Sequence, residues 1–412
     1  MKTTTVKGTN DYLPGEAQLR DYLQNVILNV YRSHGFRRIM TPVIEDAENL
    51  DKSEGGENLN LIFKILKRGE KLEKAIAGGK MDELSDMGLR YDLTLPLTRY
   101  YANNKDKLLS PFKCIQIDKV YRAERPQKGR LREFVQCDID ILGSSSWCCE
   151  VELIDVTAQA LLAIGIGEFR IKINDRRILK NVLMNLGFTA EELDSVCITF
   201  DKLDKVGIEG VREELIQKGF AQESIDRLAE MLEKMPFTLE TIRPYCSDEE
   251  TLFNLANIMS AAEKISGGRY EIVFDISLVR GQGYYTGTIF EAESRRFKGA
   301  IGGGGRYDNL IGKFLNESVP AVGFSIGFER IFSILSENGA VIPDARKQIA
   351  VLYDEKNFTA AYEKAEELRK EYDTALFERP KKTGKFLSRL EEQGYSGFFL
   401  AGQSEEVQWF KQ

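Results

Sequence analysis

The stretch Val120–Gly143, VYRAERPQKGRLREFVQCDIDILG, constrains this chain more than any other. Between Arg122 and Arg132 it holds four arginines and one lysine, and Pro126 and Gly129 force a turn among them. Runs of β character flank that turn, Phe112–Val120 before it and Phe134–Leu142 after it. The second run alternates, so Gln136, Asp138 and Asp140 share one face. The pattern predicts two antiparallel strands joined by an arginine-rich tip. Guanidinium forks suit phosphate oxygens, because they keep their charge and bond bidentately. Carboxylates and an amide on the adjoining sheet face suit a small cationic or hydrogen-bonding ligand. The segment is therefore expected to hold a polyphosphate beside a small polar molecule. A solvated hairpin tip, or a nonspecific RNA patch, is the competing reading of the same charge.

Other classes fall away on composition. The single histidine, His34, removes Ser-His-Asp chemistry, histidine general bases and histidine metal sites together. His34 precedes Gly35 at the end of an amphipathic run and reads as the C-terminus of a helix. The six cysteines are scattered without a C-x-x-C pair, which fits reduced thiols in a cytosol and argues against a zinc site. No apolar run is long enough to span a bilayer, and the opening MKTTTVKGTNDYLPG has no signal-peptide pattern. A net charge of −7 lends no support to a protein that binds nucleic acid over its whole surface. The glycine run Gly302–Gly305 lacks G-x-G-x-x-G spacing, and no Walker A sequence occurs. A bound nucleotide must therefore be held by arginines on an antiparallel sheet.

The chain is long enough for two or three domains. Ala17–Ser33 predicts an amphipathic helix, and Arg37–Ile44 a strand that Pro42 keeps at an edge or interface. Asp51–Ser85 predicts a hairpin and loops. Leu89–Asn103 reads as a short strand and a helix with Pro96 near its start. Cys149–Ile164 is an apolar helix and Phe169–Asn174 a strand. Strands are expected again at Tyr270–Val279, Tyr284–Ala292 and Gly299–Gly302, with the glycine run as a possible turn. Ala321–Glu337 reads as a strand entering a helix. These patterns divide the chain into a core at 1–174 and 267–342, a helical insertion at 175–266 and a βαβαβ domain at 348–412.

Five ordered blocks carry a resemblance that spans roughly residues 6–335. Arg122–Phe134 (RAERPQKGRLREF) resembles motif 2 of class II aminoacyl-tRNA synthetases in its histidyl form. Gly323–Arg330 (GFSIGFER) resembles motif 3, and Gly35–Pro42 (GFRRIMTP) resembles motif 1. Leu278–Glu291 and Ala300–Leu310 resemble the two signatures particular to the histidyl-tRNA synthetase family. The resemblance implies an α+β class II synthetase catalytic core, an antiparallel sheet flanked by helices, with a helical insertion and a small C-terminal α/β domain. It implies ATP-dependent activation of histidine with Mg²⁺ and transfer to tRNA(His), in a cytoplasmic homodimer joined through motif 1.

Site roles follow residue by residue from the resemblance. Arg125 would clamp the α-phosphate and Arg330 the γ-phosphate side, with Arg132 in the same ATP site. Glu124 and Phe134 would flank adenine. Arg280 would stabilise charge as the histidine carboxylate attacks. Asp92 and Thr94 would bind the histidine ammonium; Gln136, Asp140 and Tyr284 or Tyr285 would read the imidazole; and Gly303 and Gly304 would let backbone approach the ligand. A capping role for Asp92, and a core role for the tyrosines, stay open on residue pattern alone. The chain departs from the family where Gln282-Gly283 replaces leucine and an acid. Its last domain is short, with a basic cluster at Arg379, Lys381, Lys382, Lys385 and Arg389. The alternative function is a non-catalytic paralogue, resembling the regulatory subunit of ATP phosphoribosyltransferase. That protein would bind histidine without needing a full set of ATP-clamping arginines.

Overall fold

The computed structural model describes residues 2–51, 61–126, 130–234, 236–279, 284–296, 299–315 and 317–410. The arginine hairpin forms as the pattern demands: Phe112–Tyr121 pairs antiparallel with Glu133–Leu142 along the full length of both. It sits in an eight-stranded sheet ordered Arg37–Arg38, Phe112–Tyr121, Glu133–Leu142, Ala321–Gly327, Ala300–Arg306, Thr288–Ser294, Phe169–Asp175, Glu271–Phe274. The pair at each edge is parallel and every inner pair is antiparallel.

Alternation along Glu133–Leu142 decides which way the sheet faces. Cys137, Ile139 and Ile141 are fully buried, and the intervening Gln136, Asp138 and Asp140 line a cavity. Each buried isoleucine contributes about 1.5–3 kcal/mol of apolar burial. A one-residue slip would expose them and bury the acids elsewhere, so register is strongly specified. Helix Cys148–Ala163, apolar nearly all round, packs against helices Pro14–Ser33 and Glu249–Ser266 and against the sheet. Pro14 opens the first of these helices and the Glu16 carboxylate accepts from Leu13 N–H at 2.7 Å. His34 caps its C-terminus, and Gly35 follows with φ 81°.

Four expectations change. The strand foreseen over Arg37–Ile44 is broken: Arg37–Arg38 joins the large sheet, and Ile44–Asp46 joins a second sheet with Ser85–Leu89 and Lys64–Leu66. Between them the buried Arg90 guanidinium donates to the carbonyls of Thr41 and Pro42 at 2.8 and 3.4 Å, which replaces ladder partners. The loop region Asp51–Ser85 contains a helix, Glu70–Ala77, in addition to a strand. The glycine run is the middle of strand Ala300–Arg306 rather than a turn. A Cβ on Gly304 would stand 2.0 Å from the Gly323 carbonyl oxygen and 2.7 Å from the Phe290 ring, so glycine is needed there for strand packing. Finally, Tyr284 and Tyr285 precede strand Thr288–Ser294 instead of opening it.

From Arg176 to Ser266 the described residues form helices and no strand, within the same compact unit, Met1–Ala340, as the sheet. Val341–Gln412 is a second compact unit. Its sheet runs Asp373–Glu378, Gln348–Tyr353, Gly397–Leu400, parallel, with helices Phe358–Leu368 and Thr383–Glu392. A short further strand, Gln408–Trp409, pairs antiparallel with Gly397–Leu400, one strand beyond the expected βαβαβ order.

Candidate active site

The site is built on three neighbouring strands. Register places Gly327 beside Gln136, Ser325 beside Asp138 and Gly323 beside Asp140. Gly302, Gly303 and Gly304 lie on the next strand, opposite Ile326, Ser325 and Phe324. A Cβ on Gly323 would fall 1.9 Å from the Asp140 Oδ1, so this glycine clears the space the carboxylate occupies. Asp92 and Thr94, at the start of helix Thr94–Asn104, form one wall; Tyr284, Tyr285 and Tyr307 form another; Arg122, Phe134 and Arg330 stand at the rim. These residues enclose a cavity of about 220 Å³.

Its electrostatics are one-sided. Among the described residues, the buried Asp92 Oδ2, Asp138 Oδ1 and Gln136 Oε1 have no hydrogen-bond partner. Buried acceptors of this kind cost about 1–3 kcal/mol each until a donor arrives. Burial pushes the Asp140 carboxyl up to about 7; the Tyr307 hydroxyl, donating to its Oδ1 at 2.6 Å, opposes that rise, and nearby Asp92 adds to it. Burial, then the neighbouring Asp140, lifts Asp138 well above the ordinary carboxylate range. Asp92 is raised by burial and held down by the Leu95 N–H and by the charge of Arg122. Three crowded acids and an open amide oxygen want a ligand with several N–H donors and positive charge.

A second cavity of about 240 Å³ is lined by Arg122, Glu124, Arg130, Leu131, Phe134, Gly327, Phe328, Glu329 and Arg330, and shares Arg122, Phe134, Gly327 and Arg330 with the first. Arg122 follows the last hairpin rung. Its amide bonds Arg132 O at 2.9 Å, its Nε donates to Tyr91 O at 3.0 Å, and its guanidinium lies 5.1 Å from the Phe134 ring centre. This half offers two fixed guanidinium groups and an aromatic face, which suits a nucleotide.

Most of the residues singled out in the sequence meet here: Asp92, Thr94, Gln136, Asp140, Tyr284, Tyr285, Gly303 and Gly304 around the first cavity, Glu124 on the second, Phe134 and Arg330 on both. Two arginines do not. Arg125 is exposed on the loop and lines neither cavity, whereas Arg122 lines both. The reason is geometric: Arg122 adjoins the final rung, whereas Arg125 lies three residues further along the loop, exposed. Arg132 also lines neither cavity; its Nε bonds Glu124 O at 3.2 Å and its amide bonds Gly8 O at 2.7 Å, so it secures the hairpin. Arg280, with Gln282 and Gly283, lies outside the described residues. Asp92 caps the helix and lines the cavity as well: Oδ1 accepts from Leu95 N–H at 3.1 Å, while among the described residues the buried Oδ2 has no hydrogen-bond partner.

Sequence reasoning missed Asp138, which its own alternation had already put on the correct face, and Tyr307, which follows the glycine strand. Tyr307 is aimed by its neighbour. The Arg306 guanidinium grips the buried Glu150 carboxylate at 2.6 and 2.8 Å, anchoring the strand end beside it.

An antiparallel sheet carrying an arginine hairpin, a glycine-cleared acid floor and a strand-to-helix arginine is a class II aminoacyl-tRNA synthetase catalytic core. A family model described as "Histidyl-tRNA synthetase" matches residues 8–331. The histidine–tRNA ligase of Leifsonia xyli subsp. xyli is 41% identical over 85% of this chain and 84% of its own. The crystal structure of histidyl-tRNA synthetase from Nostoc sp. PCC 7120 superposes with a TM-score of 0.78 at 26% identity, over 97% of this chain and 91% of that one. A Bacillus halodurans structure titled ATP phosphoribosyltransferase regulatory subunit/histidyl-tRNA synthetase shares the fold, with a TM-score of 0.80 at 20% identity over 98% of this chain and 100% of that one. The chain belongs to the histidyl-tRNA synthetase family.

Proposed function

We propose that this enzyme activates histidine with ATP and transfers it to tRNA(His), and that the cleft divides the first step between its two halves. The observation that carries the division is charge. Asp92, Asp138 and Gln136 oxygens, unpartnered among the described residues, crowd one end, and Arg122 and Arg330 stand at the other. Histidine supplies an ammonium and ring N–H groups for the acidic end. Asp92 and Asp138 face the ammonium; Gln136, Asp140 and Tyr285 read the ring, with Tyr284 and Tyr307 behind them; Gly303 and Gly304 keep the floor flat. ATP lies across the basic end, adenine on Phe134 beside Glu124, phosphates on Arg122 and Arg330. A histidine carboxylate oxygen then attacks the α-phosphorus, the bond to the bridging oxygen breaks, and pyrophosphate leaves. A tRNA hydroxyl next attacks the activated carbonyl and releases AMP. The guanidinium groups act by position and fixed charge. Arg280 keeps the role implied by the resemblance.

Mg²⁺ would supply charge neutralisation to the phosphates. Glu124, on the adenine side, is paired with Arg130 and lies near Arg122, so the ion would arrive held by the oxygens of ATP itself. Pairing with a second copy through motif 1 is supported by Met40, 73% exposed next to the sheet edge, and by the exposed Ile44. The basic cluster of the C-terminal unit, Arg379 to Arg389, suits tRNA phosphate. Among the described residues no helix is long and apolar enough to cross a membrane; a cytoplasmic place of work is proposed from the family alone.

Histidine-dependent ATP–pyrophosphate exchange tests the reading. Exchange specific for histidine, and cut roughly 10²–10³-fold by Arg122→Ala, is expected. Histidine binding without exchange would replace it with the regulatory-subunit reading.

A further inference from the structure

The segment Val6–Leu13 and the helix after it touch neither cavity, yet they hold both sides of the ATP half. The segment is ordered by its own turn, with Thr9 amide and hydroxyl both bonded to Val6 O, at 3.0 and 2.8 Å. Gly8 O accepts the Arg132 amide at 2.7 Å. Gly8 has φ +91°, and a Cβ there would meet Pro126 Cγ at 2.7 Å and Arg132 Cγ at 2.9 Å. The strap therefore lies flush on the stem of the arginine loop. Four residues on, the Tyr12 hydroxyl donates to Glu329 at 3.3 Å. Arg20 grips the same carboxylate with both Nη atoms at 2.7 Å. Its guanidinium stacks 4.0 Å from the Tyr12 ring centre and about 5 Å from those of Phe328 and Phe332. Glu329 Oε1 also accepts the Val135 amide at 3.1 Å, next to Phe134.

We propose that this strap and Arg20 form a brace that sets ATP affinity, with Arg20 a positioning residue. Glu329 ties the strand carrying Phe134 to the helix carrying Arg330, and Arg20 fixes Glu329. Arg20 has a second effect. Glu329 lines the nucleotide cavity, so its carboxylate would repel a polyphosphate unless a cation were committed to it. Among the described residues the brace meets the histidine end only at Val135, one residue before Gln136, whereas it holds both Phe134 and the helix of Arg330, so KM for ATP should move further than KM for histidine. The inference rests on reading this half of the cleft as the ATP site.

The test is steady-state pyrophosphate exchange on the full chain, with KM for ATP and for histidine measured separately, and a melting curve for each variant. Arg20→Met keeps the stacking volume and loses the charge. Gly8→Val lifts the strap from the loop stem. Arg20→Lys restores charge without the fork. KM for ATP should rise about tenfold in Arg20→Met and Gly8→Val with KM for histidine held within about twofold, and Arg20→Lys should recover part of the loss. Equal movement of both KM values, in step with falling melting temperature, would make the brace merely structural and overturn the proposal. Unchanged KM for ATP would overturn it as well, with the site reading left standing. Absence of exchange in the unsubstituted protein would sink both.

Discussion

Gly323→Ala tests the acid floor most directly. The new methyl carbon would lie 1.9 Å from the Asp140 Oδ1, so the carboxylate must retreat by about 1 Å or more. The same oxygen receives the Tyr307 hydroxyl at 2.6 Å, and the neighbouring Gly304 backbone leaves no slack for the strand to shift instead. The displaced acid loses a hydrogen bond to its charged form, about 1.5–3 kcal/mol, and a ligand N–H aimed at it loses a similar amount. At 1.4 kcal/mol per decade, KM for histidine should rise roughly ten- to hundredfold. Exchange kinetics at saturating ATP would measure it, and KM for ATP should stay within about threefold. In an Asp140→Ala background the same methyl should cost little more, because its target is gone. If Gly323→Ala kept a native melting curve and a native KM for histidine, the assignment of Asp140 to the substrate would be wrong.

Arg125→Ala should retain nearly full exchange while Arg122→Ala loses roughly 10²–10³-fold, and equal losses would refute the placement of the phosphate clamp. Because burial raises the Asp140 carboxyl to about 7, its protonation favours the ligand-free fold at low pH, so thermal stability without ligand should decline as pH rises toward and through 7. Histidine affinity should move the other way, increasing over that window as the carboxylate forms, and Asp140→Asn should flatten this component in calorimetric titrations. Glu150→Gln takes from buried Arg306 its bidentate partner and leaves it only Asp308 at 3.2 Å, so it should cost up to about 3–5 kcal/mol in denaturant unfolding, more than breaking the exposed pair Arg295–Glu271.

Where local pattern and tertiary need agreed, the sequence was readable. The hairpin and its alternating acids show one period and one apolar buried face, and helix Cys148–Ala163 is apolar nearly all round and therefore central, so their place follows from simple rules. The misread elements owe their form to distant partners. The strand through Pro42 breaks because Arg90, some fifty residues later, takes up its carbonyls. Gly302–Gly305 carries turn composition yet lies in a strand, because Phe290, Gly323 O and Thr288 O leave no room for side chains there. Composition marked four arginines alike near the tip; only the ladder's end distinguishes Arg122, which lines both cavities, from Arg125, which lines neither. Asp138 escaped assignment because alternation gives a face and not an unpaired oxygen.

Arg122 gives the cleft its unity. It borders both cavities, and its charge opposes the rise that burial gives the Asp92 and Asp138 carboxyls. A phosphate on Arg122 competes for that charge, and an ammonium on the acids replaces it. Each substrate thus supplies the charge the other draws away, so the two ends are electrostatically complete only when both are filled. A cleft that joins two substrates has reason to be built so, because neither half-filled state then competes strongly with the productive one.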